Sequence, residues 1–172
     1  MAKKHHGEDN ITDILDMPSS SIERPKPIPQ GTYVSQVMGQ FREDKSTKKQ
    51  TRYHEYTLKL VKPATNGQDE PLDVDMEDLA RALTKASGEI AELSARTLRH
   101  TLYITPDALW RYKEFLDHLG IPQEEDGEEL TTLQRAGMAP GRFVLVHIKH
   151  APSQDGLSVF ANIDKTAPYE EE

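Results

Sequence analysis

Clustered carboxylates are the first residues in this sequence whose types and spacing suggest chemistry. Asp73, Asp75, Glu77 and Asp78 lie within six consecutive positions, and divalent cations such as Mg²⁺ take oxygen ligands of this kind. The same residues suit the start of a helix, where a side chain caps the first turn and negative charge complements the helix dipole. No lysine or histidine lies nearby in the sequence to complete a nuclease site, so the capping interpretation is favoured over the metal site.

Histidines near the end of the chain are a second candidate. His147, Lys149 and His150 are close in sequence, but alternation along a strand puts His150 on the face opposite the other two, which is a poor set of metal ligands. The sequence contains neither a glycine-rich phosphate loop nor a dinucleotide-binding motif. We therefore predict no enzymatic activity, no metal site and no cofactor.

Basic residues interleaved with aromatic ones form the remaining candidate site. A protein that holds single-stranded nucleic acid needs cations along the backbone and rings on which bases stack. The predicted set is spread over four strands and one loop: Arg42, Lys45, Lys48, Lys49, Arg52, Tyr53, Lys59, Arg99, Tyr103, Phe143 and Lys149. The structural alternative is that strands carry aromatic residues for packing and lysines to keep sheet edges soluble.

Composition sets limits on these interpretations. The 172 residues carry a formal net charge of -8, with 35% hydrophobic and 29% charged residues, which suits one domain with solvated ends. Phosphate binding usually shows as a basic surface, so the acidic total opposes a nucleic-acid binder while the local cluster of bases favours one. The absence of cysteine suits a reducing compartment. The amino-terminal residues are followed by no apolar signal region, so we expect a cytoplasmic protein that does not enter a membrane.

Hydrophobic periodicity predicts five strands and two main helices. Period-two alternation begins at Gly31, and a lysine-rich loop joins the first strand to the second in a long hairpin; the last two strands form another. The alternation predicts that Tyr53, Arg99 and Tyr103 point outward and that six residues of the second and fourth strands point inward: Tyr56, Leu58, Leu60, Val144, Val146 and Ile148. Because aromatic residues make up only 6% of the chain, Trp110 is expected in the core. Thr105-Pro106-Asp107 is typical of a helix start and Gly120 of a helix end. The predicted strands begin near residues 31, 51, 97, 142 and 157, and the predicted helices span about 75–93, 106–119 and, more briefly, 130–135.

This order of elements favours one fold class. Five strands with a helix between strands 3 and 4 is the plan of the OB fold, a partly open Greek-key barrel, here with a helical insertion at about 73–95 between strands 2 and 3. A small sandwich is the main alternative, whereas a doubly wound sheet would need helices after most strands. The predicted organisation is a flexible amino-terminal tail over residues 1–30, an OB-like domain over 31–166, and an acidic carboxy-terminal tail over 167–172.

Several short segments resemble a known family. They are Pro27-Ile28-Pro29-Gln30-Gly31-Thr32-Tyr33, Tyr53-His54-Glu55-Tyr56-Thr57-Leu58, Phe115-Leu116-Asp117-His118-Leu119-Gly120, Gly141-Arg142-Phe143-Val144-Leu145-Val146 and Asn162-Ile163-Asp164. Together they resemble phage-encoded OB-like single-stranded-DNA-binding proteins found near recombination and replication genes. The resemblance spans residues 27 to about 168 and implies a protein that works beside recombinases. The helical insertion at 73–95 departs from a compact OB domain, and so does the short tail, which lacks the terminal aromatic residue of many bacterial single-strand binders.

Two functions follow as expectations. The first is binding of single-stranded DNA with little sequence preference in phage replication or recombination, with a recombinase or replication protein as a further partner through the acidic tail. The second is a protein-interaction module that docks through acidic segments and binds no nucleic acid. A metal-dependent nuclease is a third, weaker alternative. Self-association, through the helical insertion for example, stays open.

Overall fold

The computed structural model describes residues 15, 16, 19 and 26–170, and these fold around one antiparallel five-stranded sheet. Three helices and one short hairpin accompany the sheet. In chain order the elements are β1 (Gly31–Lys45), β2 (Arg52–Pro63), α1 (Met76–Leu83), a 3-10 turn (Leu93–Ala95), β3 (Thr97–Tyr103), α2 (Leu109–His118), β4 (Glu124–Glu125), β5 (Glu128–Glu129), α3 (Thr132–Ala136), β6 (Phe143–Pro152) and β7 (Val159–Ala167).

The strands of the main sheet lie in the order β3-β2-β1-β6-β7. The two long hairpins predicted from sequence, β1–β2 and β6–β7, are both present, and β1 joins them by pairing with β6. The edge strands β3 and β7 come near each other without forming a ladder, so the sheet curves but does not close. The prediction of a mainly β protein with few helices is confirmed at this level.

Alternation explains which sheet face is buried. Tyr56, Leu58 and Leu60 on β2 are completely buried, as are Val144, Val146 and Ile148 on β6. These six residues were predicted to face inward. The intervening residues form the opposite face, which we call the outer face, because in a strand successive side chains point to opposite sides.

Strand β1 pairs with two neighbouring strands, β2 and β6, and bends along its length. Its register with β2 shifts between Val34 and Ser35 and again between Met38 and Arg42, and Gly39 within the second irregularity has a φ of 66°. Bulges increase local twist and bend the strand that carries them. The first part of β1 therefore pairs with both neighbours, while its second part projects with β2 as an extended ribbon.

Helix α2 covers the inner face of the sheet. Tyr112, Phe115 and Leu116 point into the core, and the ring of Phe115 lies 5.2 Å from that of Tyr56. The helix ends where predicted, followed by Gly120 with a φ of 74°. Its start is later than predicted: Thr105 caps a turn by accepting a hydrogen bond from the Ala108 amide (3.2 Å), and regular helix begins only at Leu109.

The helical insertion is shorter than the sequence indicated. Asp75 caps α1 by accepting hydrogen bonds from the amides of Glu77 (2.9 Å) and Asp78 (3.1 Å), as the capping interpretation required. The helix then ends at Leu83 instead of near residue 93, because the chain reverses through Gly88, whose φ is 88°, and Thr84 bridges to Ile90. The apolar spacing of residues 90 and 93 thus belongs to a turn and not to the helix.

Residues 26–30 belong to the packed structure, although the sequence suggested a tail through residue 30. Ile28 is in the core, and its carbonyl lies 2.7 Å from Nε2 of His150. The hydroxyl of Tyr33 donates to the carbonyl of Pro29 over 2.8 Å. The packed structure therefore includes residues 26–30. Most of the predicted tail (residues 1–14, 17, 18 and 20–25) lies outside the described residues, as do the last two residues of the chain.

Two further predictions about packing are corrected. Trp110 was expected in the core, but it lies at the start of α2 and is 58% exposed. The acidic loop after α2 is a small hairpin: β4 pairs with β5 through a two-residue turn of Asp126 (φ 52°) and Gly127 (φ 82°). Asp-Gly is a strong signal for such turns. No helix in the described part of the chain has the length and apolar character needed to cross a membrane.

Candidate nucleic-acid interface

Two tyrosines begin the row of candidate residues on the outer face. Tyr53 of β2 is directly opposite Tyr103 of β3 in the ladder, and their rings meet edge to face with centroids 5.9 Å apart. Tyr103 is 47% exposed. Nucleobases stack on exposed rings of this kind with little dependence on sequence. The sequence placed both tyrosines outward, and the ladder brings them together.

An ion cluster occupies the next row of the face. Nη2 of Arg42 lies 3.3 Å from Oε1 of Glu55, and Nε of Arg99 lies 3.7 Å from the same oxygen. Arg42 also contacts Asp44 at 3.0 Å. The negative charge of Glu55 raises the pKa of Arg42, so its guanidinium stays charged. The two predicted arginines thus lie side by side, and they share one carboxylate that competes with phosphate for them.

A third group lies farther along the same face. Lys59 is paired with Gln36 of β1 on one side and with Thr97 of β3 on the other, and Gln36 is paired in turn with Phe143 of β6. Phe143 is 40% exposed, and its ring is 6.1 Å from that of Tyr169 in the carboxy-terminal segment. Seven of the predicted residues therefore share the outer face, with Lys149 at its far end: Arg42, Tyr53, Lys59, Arg99, Tyr103, Phe143 and Lys149.

The loop between β1 and β2 carries three more of the predicted cations. We call residues 45–51 the basic loop. Lys45, Lys48 and Lys49 are all exposed, and among the described residues none of them forms an ion pair. Backbone bonds from Ser46 to Thr51 (2.9 Å) and from Gln50 to Ser46 (3.0 Å) close the turn. Uncompensated charge at the tip of a projecting ribbon is well placed to meet a phosphate backbone.

Two predicted residues lie apart from the tyrosine row, Arg52 on the other face of the sheet and Lys149 far along the outer face. Arg52 is one position from Tyr53 and so points to the other face, where it pairs with Glu43. Lys149 lies at the far end of β6, opposite Asn162 of β7, and contacts Asp164 at 3.4 Å. Adjacent residues of a strand face opposite ways, which excludes Arg52 from the outer face.

A buried polar cluster supports the base of the ribbon. The Tyr112 hydroxyl lies 2.6 Å from Nδ1 of His54 and 2.7 Å from the Tyr56 hydroxyl, and the ring of Phe41 stacks on His54 at 3.8 Å. Burial raises the pKa of Tyr56 to about 12 and lowers the pKa of His54, although the nearby Glu43 partly opposes that shift. The Tyr56 hydroxyl and the His54 imidazole are therefore both neutral near pH 7. Their hydrogen bonds with Tyr112 tie helix α2 to the strand that carries Tyr53.

The acids considered as metal ligands have structural roles. Asp73 accepts hydrogen bonds from the Thr32 amide (2.7 Å) and the Thr32 hydroxyl (2.9 Å), and His147 is 3.2 Å from that hydroxyl. Among the described residues no group of three or more histidine or acidic side chains is arranged to hold a metal ion. The hydrogen bonds between Asp73 and Thr32 join the start of β1 to the segment before α1.

The helix side of the molecule carries a surface that was not singled out from sequence. Trp110, 58% exposed, borders a cleft of about 280 Å³ with Leu130 and Glu129. The adjoining β4–β5 hairpin presents five acidic residues, and within residues 26–170 none of them forms an ion pair: Glu124, Glu125, Asp126, Glu128 and Glu129. The acidic run was visible in the sequence, but Trp110 was assigned to the core.

Comparison with models of known protein families gave no match, and no curated protein proved significantly similar in sequence. The resemblance to phage single-strand binders therefore stays a prediction based on short segments.

Proposed function

We propose that the protein binds single-stranded DNA, with little sequence preference, across the outer face of its sheet. The observation that carries the proposal is the row formed by Tyr53 and Tyr103 beside Arg42 and Arg99. Exposed rings supply stacking of roughly 1–3 kcal/mol per base, and cations follow the backbone. The basic loop supplies further positive charge at the same end of the sheet.

The strand order supports an OB-type barrel as the scaffold. Strand β3 leads through α2 to β6, which returns to pair with β1, and the edge of β3 approaches the edge of β7. A Greek-key barrel would show this order, with the β3–β7 seam left open. OB folds bind oligonucleotides on the face of their second and third strands and with the loop between the first two, and here those elements carry Tyr53, Tyr103 and the basic loop.

The cellular setting follows from the resemblance alone. In this proposal the protein protects or presents single strands during phage replication or recombination in the host cytoplasm. A recombinase or replication protein is the proposed partner through the acidic carboxy-terminal segment, and no cofactor takes part.

Fluorescence anisotropy tests the proposal directly. A labelled oligo-dT of about 30 nucleotides, long enough for at least one OB site, is titrated at low and at moderate salt, with a duplex of equal length as the control. We expect binding to the single strand that weakens steeply with salt, because each neutralised phosphate releases counterions, and little binding to the duplex. Absence of single-strand binding at low salt would refute the proposal.

A protein-interaction module is the second candidate. The supporting observation is the exposed Trp110 beside an acidic hairpin whose charges lack partners among the described residues, since protein-binding hot spots often centre on tryptophan. Neutralising the basic loop distinguishes the two candidates: it weakens DNA binding but leaves docking through acidic segments intact.

A further inference from the structure

A groove runs along the open seam of the sheet, where the edges of β3 and β7 approach without pairing. It has a volume of about 780 Å³. Arg96, Thr97 and Leu98 line one wall, and the segment from Leu157 to Asn162 lines the other. We call this feature the seam groove. The segment from Lys26 to Ile28, which precedes β1 and which we call the lead-in, borders it as well.

The walls of the seam groove combine apolar surface with positive charge. Phe160 is 47% exposed and Val159 is 48% exposed, so an aromatic and an aliphatic side chain are both accessible there. The charged residues that line the groove are Lys26 and Arg96, and no acidic residue among those described lines it. A nucleobase with its phosphate fits this combination, whereas an acidic face would repel it.

Hydrogen bonds fix one wall of the groove in place. The guanidinium of Arg96 donates to the carbonyls of Ala82 (2.9 Å) and Lys26 (3.3 Å), which joins the lead-in to helix α1. The ring of Phe160 projects from β7 opposite Ala151 of β6, on the outer face. The groove is thus a formed feature of the fold, and two of the residues that line it, Thr97 and Phe160, belong to the outer face by strand alternation.

The outer face and the seam groove are continuous. Thr97 of β3 is paired with Lys59 of β2 on the outer face, and it also lines the groove. Strand β3 leads from Tyr103 to Thr97, a distance of about 20 Å at 3.3 Å per residue. At the far side Lys149 stands opposite Asn162, which lines the groove. One strand of nucleic acid can follow this path without leaving the surface.

We propose that the seam groove binds bases of the same single strand that crosses the outer face, with Phe160 as a stacking residue and Lys26 beside the phosphates. The inference rests on the proposed function and deepens it. It adds a second stacking position about one strand length from the tyrosine pair. A binding site that spans both positions is longer than the tyrosine row alone.

Substitutions of Phe160 test the proposal. Phe160→Ala, Phe160→Leu and Phe160→Trp are compared with the unaltered protein by anisotropy, using oligo-dT of about 14 nucleotides, within the range that an OB fold covers. We expect Phe160→Ala to weaken binding roughly 5- to 150-fold, the effect of losing one stacked base. Phe160→Leu should lose most of the affinity and Phe160→Trp should keep it, because stacking requires a ring and apolar packing does not.

Two controls separate the outcomes. Trp110→Ala removes an aromatic side chain that is 58% exposed, against 47% for Phe160, from the helix side and should leave affinity unchanged. Tyr103→Ala reports on the outer face itself. If Tyr103→Ala weakens binding and Phe160→Ala does not, the groove proposal fails and the proposed function stands. If the unaltered protein binds no oligo-dT, both fail. Dissociation of a self-associated form by Phe160→Ala, with DNA affinity unchanged, would assign the groove to a second copy and overturn the proposal.

Discussion

At the scale of single residues, Glu55 is the most informative position on the outer face. Its side chain is only 15% exposed, yet both Arg42 and Arg99 converge on one of its oxygens. An acid in the middle of a phosphate-binding surface lowers affinity, because it competes for the same guanidinium groups. The sequence placed the two arginines correctly, but the ladder registers that bring them to Glu55 depend on pairing between three strands.

We expect Glu55→Gln to strengthen binding of oligo-dT by about 3- to 10-fold, since it releases two cations for phosphate. The change should also steepen the dependence of log Kd on log salt, measured by anisotropy. Glu43→Gln is the matched control, because Glu43 pairs with Arg52 on the other face. Equal gains in both variants would show that only net charge matters.

His100 makes stability depend on pH. Its ring lies 4.9 Å from that of Phe115, and burial lowers its pKa to about 4, against about 6.5 for a histidine in an unfolded chain. Between these values the unfolded state binds more protons, so stability is full above about pH 6.5 and falls as the pH drops toward 4, by roughly 2–3 kcal/mol.

The measurement is urea unfolding at pH 7.5 and pH 4.5 for the unaltered protein and for His100→Phe. We expect a smaller loss of unfolding free energy at the lower pH in the variant. Some loss remains, because burial also lowers the pKa of His54. An unchanged pH dependence would show that His100 does not contribute.

At the scale of elements, the basic loop is the part of the candidate site whose position in the fold the sequence predicted best. The position of its lysines followed from a polar run between two alternating segments, which is local information.

Replacing Lys45, Lys48 and Lys49 with alanine should weaken DNA binding and reduce the slope of log K against log salt by about 2, because each phosphate neutralised on a single strand contributes roughly 0.7 to that slope. Lys85→Ala with Lys113→Ala controls for general charge, and a slope unchanged by the triple variant would remove the loop from the interface.

Gly31 shows how closely the start of β1 is packed. It has a φ of 141°, and an added Cβ would lie 2.7 Å from Cγ2 of Val74 and 3.0 Å from the Asp73 carbonyl. We expect Gly31→Ala to lower the unfolding free energy by about 2–4 kcal/mol through strain and overpacking. Gly67→Ala, at a position with open space around it, should be nearly neutral in the same urea titration. Similar losses in both would point to a general effect on turns.

Periodicity predicted the elements that depend on their own residues and failed where distant contacts decide. Strands β2 and β6 alternate cleanly, and their buried residues were predicted correctly. Trp110 was expected in the core because aromatic residues are scarce in the chain, but it lies two positions before Tyr112 and so points away from the side of α2 that carries Tyr112 and Phe115. The pairing of β1 with β6 joins residues more than 100 positions apart, which no local pattern specifies.

At the scale of the whole molecule, the carboxy-terminal segment returns to the outer face. The ring of Tyr169 packs near Phe143, and Glu170 shares a surface depression with Lys62. Ending the chain after Ala167 should uncover Phe143, remove the three glutamates 170–172 and raise oligo-dT affinity several-fold at low salt. Tyr169→Ala should reproduce part of this gain, whereas weaker binding by the shortened chain would mean that the segment contributes to the interface.

The acidic hairpin and the basic loop are exposed regions of opposite charge. The hairpin adjoins Trp110 at the start of α2, and the loop projects from the end of the β1–β2 ribbon. A chain with a net charge of -8 is repelled by a polyanion at long range. Within a Debye length, about 8–10 Å in physiological salt, we expect a DNA strand to be attracted by the loop and repelled by the hairpin. Attraction and repulsion of this kind act on how fast the two molecules meet, so changes to the hairpin should alter association rates and leave residence times on DNA unchanged.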